Sequence, residues 1–168
     1  NQPVTVTINI TNVTNLGSFQ FTLNYNPAIL TVDAIALGAF PGSTGRSFVP
    51  TGPTINNTVG MATYGAFSLG SLPSGPNGNG VLAQVRLMPH AAGTAVLHLG
   101  GVQVSDVPGA VIPATTQDGT LRINACLGDF DGDGDVDIVD VQRVAYRWNT
   151  HCGDALYDSL YDLDNDCD

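Results

Sequence analysis

The stretch "VTVTINIT" sets Val4, Val6, Ile8 and Ile10 in strict alternation with Thr5, Thr7, Asn9 and Thr11, and "SFQFTLNY" repeats the rhythm with Phe19, Phe21, Leu23 and Tyr25. Period two puts alternate side chains on one face of an extended chain, so each segment is a half-buried strand that needs a second layer to cover it. Further strands are expected over 30–37, 60–67, 81–88, 95–99, 102–105 and 120–123, divided by turn clusters such as "LPSGPNGNG". Eight or nine short strands in about 125 residues predict an antiparallel β-sandwich, with a barrel as the alternative.

Charge divides the chain differently. All 15 acidic residues are Asp and all five basic residues are Arg; Lys and Glu are absent. Asp33, Asp106 and Asp118 balance Arg46, Arg86 and Arg122 through residue 125, so the net charge of −10 falls on the segment that begins at Cys126. That asymmetry predicts two units, 1–124 and 125–168. An acidic balance without clustered Lys or Arg argues against a nucleic-acid partner, and no apolar run of about 18 residues is present to span a bilayer. The chain opens inside a strand pattern and stops inside a motif, which suggests a piece of something longer.

The acids of the second unit are spaced, not merely abundant. "DFDGDGDVDIVD" places Asp129, Asp131, Asp133, Asp135, Asp137 and Asp140 at positions 1, 3, 5, 7, 9 and 12 of a twelve-residue loop, with Gly134 at position 6. This is the spacing of an EF-hand calcium loop. Ca²⁺ takes six to eight oxygens, so carboxylates at 1, 3 and 5 converge on it, position 7 offers a carbonyl, and position 12 closes the shell from the first turn of a helix. The following run predicts that helix from Val139 to about Trp148, with Val141, Val144, Ala145 and Trp148 on one face. So short a helix needs a partner to cover its stripe. A second copy of the rhythm begins at "YDLDNDCD", with Asp162, Asp164, Asp166 and Asp168 at positions 1, 3, 5 and 7 and Cys167 where Gly is expected. A cysteine held at positive φ there carries strain on the order of 1 kcal/mol. Cys126 and Cys152 bracket the first loop and its helix, which predicts a disulfide between them; zinc is the alternative, without a CxxC pair to support it. Disulfide and calcium together point to an extracellular, secreted or cell-surface setting.

Catalysis is not expected. His90 and His98 have no Cys or acidic neighbour in sequence, and no serine sits in a nucleophile elbow. A carbohydrate-binding sandwich is the competing reading, but Phe19, Phe21, Tyr25 and Phe67 fall on apolar phases that predict core, leaving Phe40, Phe48 and Tyr64 as candidate platform residues. Asn9, Asn12 and Asn56 head N-x-Thr sequons, a weak signal in Thr-rich strands.

With an Asp at position 12 and a loop that no helix leads into, residues 126–168 resemble a dockerin, the calcium-dependent plug of cellulosomes. The segments "GSFQFTLNYNPAILTV", "GVLAQVRLMPHAAGTAVLHLGGVQVSD" and "DGTLRI" resemble the dockerin's receptor, the cohesin, over most of residues 1–124. The resemblance implies a nine-stranded jelly-roll sandwich whose flat face docks helices. It also implies that Ile138, Val139, Gln142, Arg143, Tyr146 and Arg147 contact a protein partner. The expected function is a non-catalytic adaptor that assembles cohesin- or dockerin-bearing proteins, another copy of this chain included. The alternatives are a head-to-tail surface fibre and a carbohydrate-binding sandwich tethered by its acidic module.

Overall fold

The computed structural model describes residues 2–123, 128–131, 135–162 and 166–167. Among these residues, eight antiparallel strands form two sheets. β1 (Val4–Val13), β6 (Gly78–Pro89) and β3 (Leu30–Leu37) make a three-stranded sheet in the order β1-β6-β3. β4 (Phe48–Asn56), β5 (Met61–Ser68), β2 (Leu16–Asn24), β7 (Gly93–Asp106) and β8 (Gly119–Ile123) make the other, in the order β4-β5-β2-β7-β8. The sandwich expectation holds; the resemblance implies nine strands, of which eight lie among the described residues.

The inward row of β2 is fully buried, with Phe19, Phe21 and Leu23 packed against Leu30, Val32, Val85 and Leu87 of the opposite sheet. Strand β5 reverses the expected phase. Tyr64 is buried between Ala62 and Ala66, its ring 6.3 Å from Phe19 and 6.1 Å from Phe21, whereas Phe67 points outward and is exposed. The small alanines leave the volume that the Tyr64 ring occupies. Phe40 is half-buried against Gly80, and Phe48 is half-buried against the core. Of the three aromatics left to the competing carbohydrate reading, Tyr64 is therefore a core residue and Phe40 and Phe48 are half-buried.

Two departures in strand boundaries have local causes. β4 contains Pro50 and Pro53 and escapes period-two reading; it survives as an edge strand, where proline removes no needed ladder bond, with its register shift between Thr51 and Thr54. The expected segments 95–99 and 102–105 are one strand, β7, whose ladder with β2 is irregular between Gln20 and Thr22, opposite Gly100 and Gly101. Gly101 has φ +58°, which a side chain rarely adopts.

The side chain of Asn57 closes the sandwich along β3. Its Oδ1 accepts from Val32 N at 2.9 Å and from the Tyr25 hydroxyl at 2.6 Å, and its Nδ2 donates to Val32 O at 3.0 Å. Arg46, buried, donates from its guanidinium to the carbonyls of Gly70 and Pro73 and thereby holds the loop before β6.

Candidate functional site

Past the sandwich, helix α1 (Ile138–Tyr146) is the one helix among the described residues, starting one residue before the expected Val139 and ending two before Trp148. Asp137 caps it, accepting from Val139 N at 2.7 Å, and Asp140 reaches back to Asp137 N at 2.8 Å, which completes a capping box. The other oxygen of Asp140 accepts from Phe130 N at 2.6 Å and Asp131 N at 3.2 Å. One carboxylate thus ties the start of the acidic loop to the start of the helix. Those N–H donors, Asp137 first, hold the Asp140 carboxyl below the usual carboxylate range against the opposing effect of desolvation.

Around this vertex the carboxylates gather. Ligand oxygens of Asp129, Asp131 and Asp140 lie within 4.8 Å of one another, as do those of Asp135, Asp137 and Asp140. The five described acids of the first loop thus fall into two groups that share Asp140, and Asp133, with Gly134, lies outside the described residues. An all-oxygen, all-carboxylate set suits a hard divalent cation, and the helix N-terminus at Asp140 favours the negative ligands.

The second loop is organised by Asp162. This buried carboxylate accepts from Asp166 N at 3.2 Å, Cys167 N at 3.1 Å and the Tyr157 hydroxyl at 2.6 Å. The hydrogen bond to Asp162 pushes the Tyr157 hydroxyl pKa up. Cys167, at loop position 6, has φ +78°, the left-handed conformation that Gly supplies at this place in the motif. Asp164 and Asp168 lie outside the described residues.

The cysteine pairing is corrected. Cys152 bonds to Cys167, not to Cys126, and Cys152 N also donates to Cys167 O at 3.1 Å. Asp162 folds the chain back on itself by gathering the N–H groups of Asp166 and Cys167, and this brings Cys167 to the turn after α1 with a Cα separation of 4.9 Å. The disulfide clasps the second loop rather than the first; Cys126 lies outside the described residues.

Of the expected contact residues, Ile138, Val139, Gln142, Arg143 and Tyr146 are exposed on α1. Arg147 is engaged within the segment: its guanidinium lies 4.1 Å over the Tyr161 ring, which stacks on Phe130 at 4.6 Å. This three-layer stack joins position 2 of the first loop to the residue before the second. Sequence reading missed Phe130 and Tyr161; the signal available was one aromatic beside the first Asp of each loop. Arg143 donates to Phe130 O at 3.3 Å, adding a second tie. Val141 and Trp148 of the expected apolar face are also exposed.

In the sandwich, His98 Nδ1 meets Asp118 Oδ2 at 2.8 Å, and Leu99 N donates to the same carboxylate at 3.1 Å. His90 Nε2 lies 3.1 Å from Pro27 O. Both histidines have local structural partners.

A family model described as the cohesin domain matches residues 1–123. No curated protein sequence matches the chain. Among solved structures, a non-cellulosomal cohesin from the hyperthermophilic archaeon Archaeoglobus fulgidus aligns with TM-score 0.56 and 22% identity, covering 71% of this chain and 79% of its own. The third cohesin of ScaC from Acetivibrio cellulolyticus, solved in complex with the ScaB dockerin, aligns with TM-score 0.60 and 19% identity over 74% and 90%. CaCohA2 from Clostridium acetobutylicum aligns with TM-score 0.57 and 20% identity over 73% and 82%. At these identities the likeness is one of fold.

Proposed function

The chain belongs to the cohesin family, and from that premise we propose that it is a non-catalytic extracellular adaptor with two docking units, a receptor sandwich over 1–124 and a calcium-organised plug over 125–168. The observation that carries the receptor half is the outer face of the five-stranded sheet. Cross-strand rows there read Phe67–Ser18–Ser105, Gly65–Gln20–Gln103 and Thr63–Thr22–Gly100, with no charged residue in them. Such a face accepts a helix through small side chains, hydroxyls and amides, without the desolvation of charge. Its occupant is a dockerin-bearing protein, the kind of partner found with the Acetivibrio cellulolyticus cohesin.

In the plug half, Ca²⁺ is held by Asp129, Asp131, Asp133, Asp135, Asp137 and Asp140, and a second ion by Asp162, Asp164, Asp166 and Asp168. The cation orders α1, which presents Ile138, Val139, Gln142, Arg143 and Tyr146 to a cohesin on another chain, Arg147 supporting the surface through its stack on Tyr161. The Cys152–Cys167 bond supports an oxidising compartment. Because one chain carries both an uncharged sheet face and an exposed helix, a head-to-tail contact between copies is the second reading.

Calorimetry on the full chain tests both halves. Calcium uptake is expected in the plain protein, and loss of the first loop's share of that uptake in Asp140→Ala; dockerin binding is expected to fall with Gln20→Arg on the sheet face and to persist with Arg122→Gln on β8. Absence of calcium uptake would remove the plug, and dockerin affinity indifferent to Gln20→Arg would remove the receptor face.

A further inference from the structure

At position 6 of a cation loop the chain turns sharply through the left-handed region, where glycine is at ease and a side chain is not. The second loop has Cys167 there, at φ +78°. Left to itself, a cysteine leaves that region for extended or right-handed backbone. Three contacts hold it: its N–H donates to Asp162 Oδ2 at 3.1 Å, its carbonyl accepts from Cys152 N at 3.1 Å, and its sulfur is bonded to that of Cys152. Only the sulfur bond is covalent, and it keeps the two ends of the Cys152–Cys167 backbone contact together.

The surroundings offer little to replace that bond. Between α1 and the second loop, Trp148, Leu156 and Leu160 are exposed, so these apolar side chains do not pin the stretch to anything. Its turns are local, from Asp154 N to His151 O, Tyr157 N to Asp154 O and Tyr161 N to Asp158 O. Asp162, which gathers the loop, takes one of its donors from Cys167 N. Freeing Cys167 therefore loosens the seat of Asp162. Tyr161, its neighbour in the chain, stacks on Phe130 at 4.6 Å, and Phe130 N donates to Asp140 at 2.6 Å. A contiguous run of contacts thus leads from the sulfur bond to the carboxylate shared by both groups of first-loop acids.

We propose that Cys152–Cys167 is a thiol–disulfide gate on the acidic region. With the bond closed, Cys167 is held in the conformation of a glycine and the Asp140 vertex is ordered for its cation; with it open, both relax. The inference rests on the calcium-organised plug proposed above and adds the condition under which that plug forms. Closing the gate takes a disulfide donor, RS–SR. One cysteine thiolate attacks it and displaces RS⁻, and the second thiolate attacks the resulting mixed disulfide and displaces the other RS⁻. The two cysteines lose two electrons, and the donor leaves as two RSH that carry the two thiol protons. A dithiol reductant reverses the exchange. Both cysteines are exposed, so either reagent reaches them in the folded chain. The strands of the sandwich contain no cysteine, so the receptor half is untouched. The consequence is an order of events: the plug takes its cation after the chain has entered an oxidising compartment, not before.

The test is calorimetric calcium titration of the full chain, oxidised and after reduction with dithiothreitol, together with hydrogen exchange at the Phe130 and Asp131 amides with and without calcium. Reduction is expected to weaken calcium uptake by about tenfold and to speed exchange at those two amides, with β2 and β7 unchanged. Cys152→Ser combined with Cys167→Ser is expected to behave as the reduced chain whether or not dithiothreitol is present. Cys152→Ser combined with Cys167→Gly, which supplies the left-handed residue without the bond, is expected to regain most of the lost affinity and to ignore dithiothreitol. Equal affinity and equal exchange in the oxidised and reduced chains would overturn the gate. So would a glycine variant as weak as the serine one, which makes the bond a simple tie and not a stand-in for glycine. No calcium uptake by the oxidised chain would remove the plug reading instead; exchange at Phe130 and Asp131 then decides the gate, which stands if reduction speeds it and falls if reduction leaves it unchanged.

Discussion

The two regions of the molecule bury opposite kinds of side chain. In the sandwich the inside is apolar: Phe19, Phe21, Leu23, Leu30, Val85 and Leu87 are all buried. Among the described residues of the acidic region the buried ones are carboxylates, Asp140 at 1% and Asp162 at 7% exposure, while Trp148 is 81% exposed and Val141, Ile138 and Tyr146 also face outward. The difference teaches how a segment too short for a core can still take a fixed shape. Carboxylates collect backbone N–H groups and gather oxygens that could hold a divalent cation, and the apolar side chains that would otherwise make a core remain on the surface.

The widest separation of the two regions is expected from Phe21→Ala. Removing a ring packed against Tyr64 in the sandwich costs about 3–5 kcal/mol. Thermal unfolding followed by near-UV dichroism should drop sharply, while calcium uptake by the acidic region, measured calorimetrically on the still-folded protein, stays as it was. Loss of both together would show that the acidic region borrows its order from the core.

The converse cut is the Cys152–Cys167 bond. Its 15-residue separation gives a closure term of about 3 kcal/mol in the chain-entropy model, acting on the second loop alone. Replacing both cysteines with serine should speed amide exchange across 152–162 and leave the melting of the sandwich unmoved. A matching fall in sandwich stability would contradict the division.

A smaller and more local effect is expected from Asp140→Ala. The variant leaves the N–H groups of Phe130, Asp131 and Asp137 without their shared acceptor and removes the vertex common to both carboxylate groups. Cation affinity should fall by about 100-fold or more, and the helical signal of α1 should fade at concentrations that saturate the unmodified protein. Unchanged affinity would mean that the helix cap, not a cation, is the purpose of Asp140.

Much of this contrast was legible in the sequence, and its exceptions have physical causes. Strict alternation marked β1 and β2 because their inward residues are all large and apolar. β5 misled because its inward row is Ala62, Tyr64 and Ala66 while Met61 and Phe67 face outward, so bulk and phase disagree. β4 was hidden by Pro50 and Pro53, which only an edge tolerates, and an edge is a property of the sheet that local pattern does not carry. The clustering of carboxylates was readable from spacing alone, since they come from one short stretch of chain. The disulfide was not, because the turn that brings Cys167 to Cys152 is made by hydrogen bonds to Asp162. The Phe130–Tyr161–Arg147 stack likewise depends on a return of the chain that no periodicity records.

The smallest effect sharpens the comparison from the sandwich side, where one carboxylate works as those of the acidic region do. Asp118 accepts from the His98 side chain and from Leu99 N, and these bonds, His98 first, hold its carboxyl below the usual range. A lowered pKa in the folded state means that the bound form is the ionised one, so the stabilisation is complete above the unfolded value and fades as pH falls through the folded one. The melting temperature of Asp118→Asn should therefore lie slightly below that of the unmodified protein at neutral pH, and the two curves should converge on acidification from about pH 5 to about pH 2. Because Asp118 is solvent-exposed and no cation is implied beside it, the difference should be unaffected by calcium. A calcium-dependent gap would mean that ion binding in the acidic region is felt at β7 and β8, and that the two regions do not act separately.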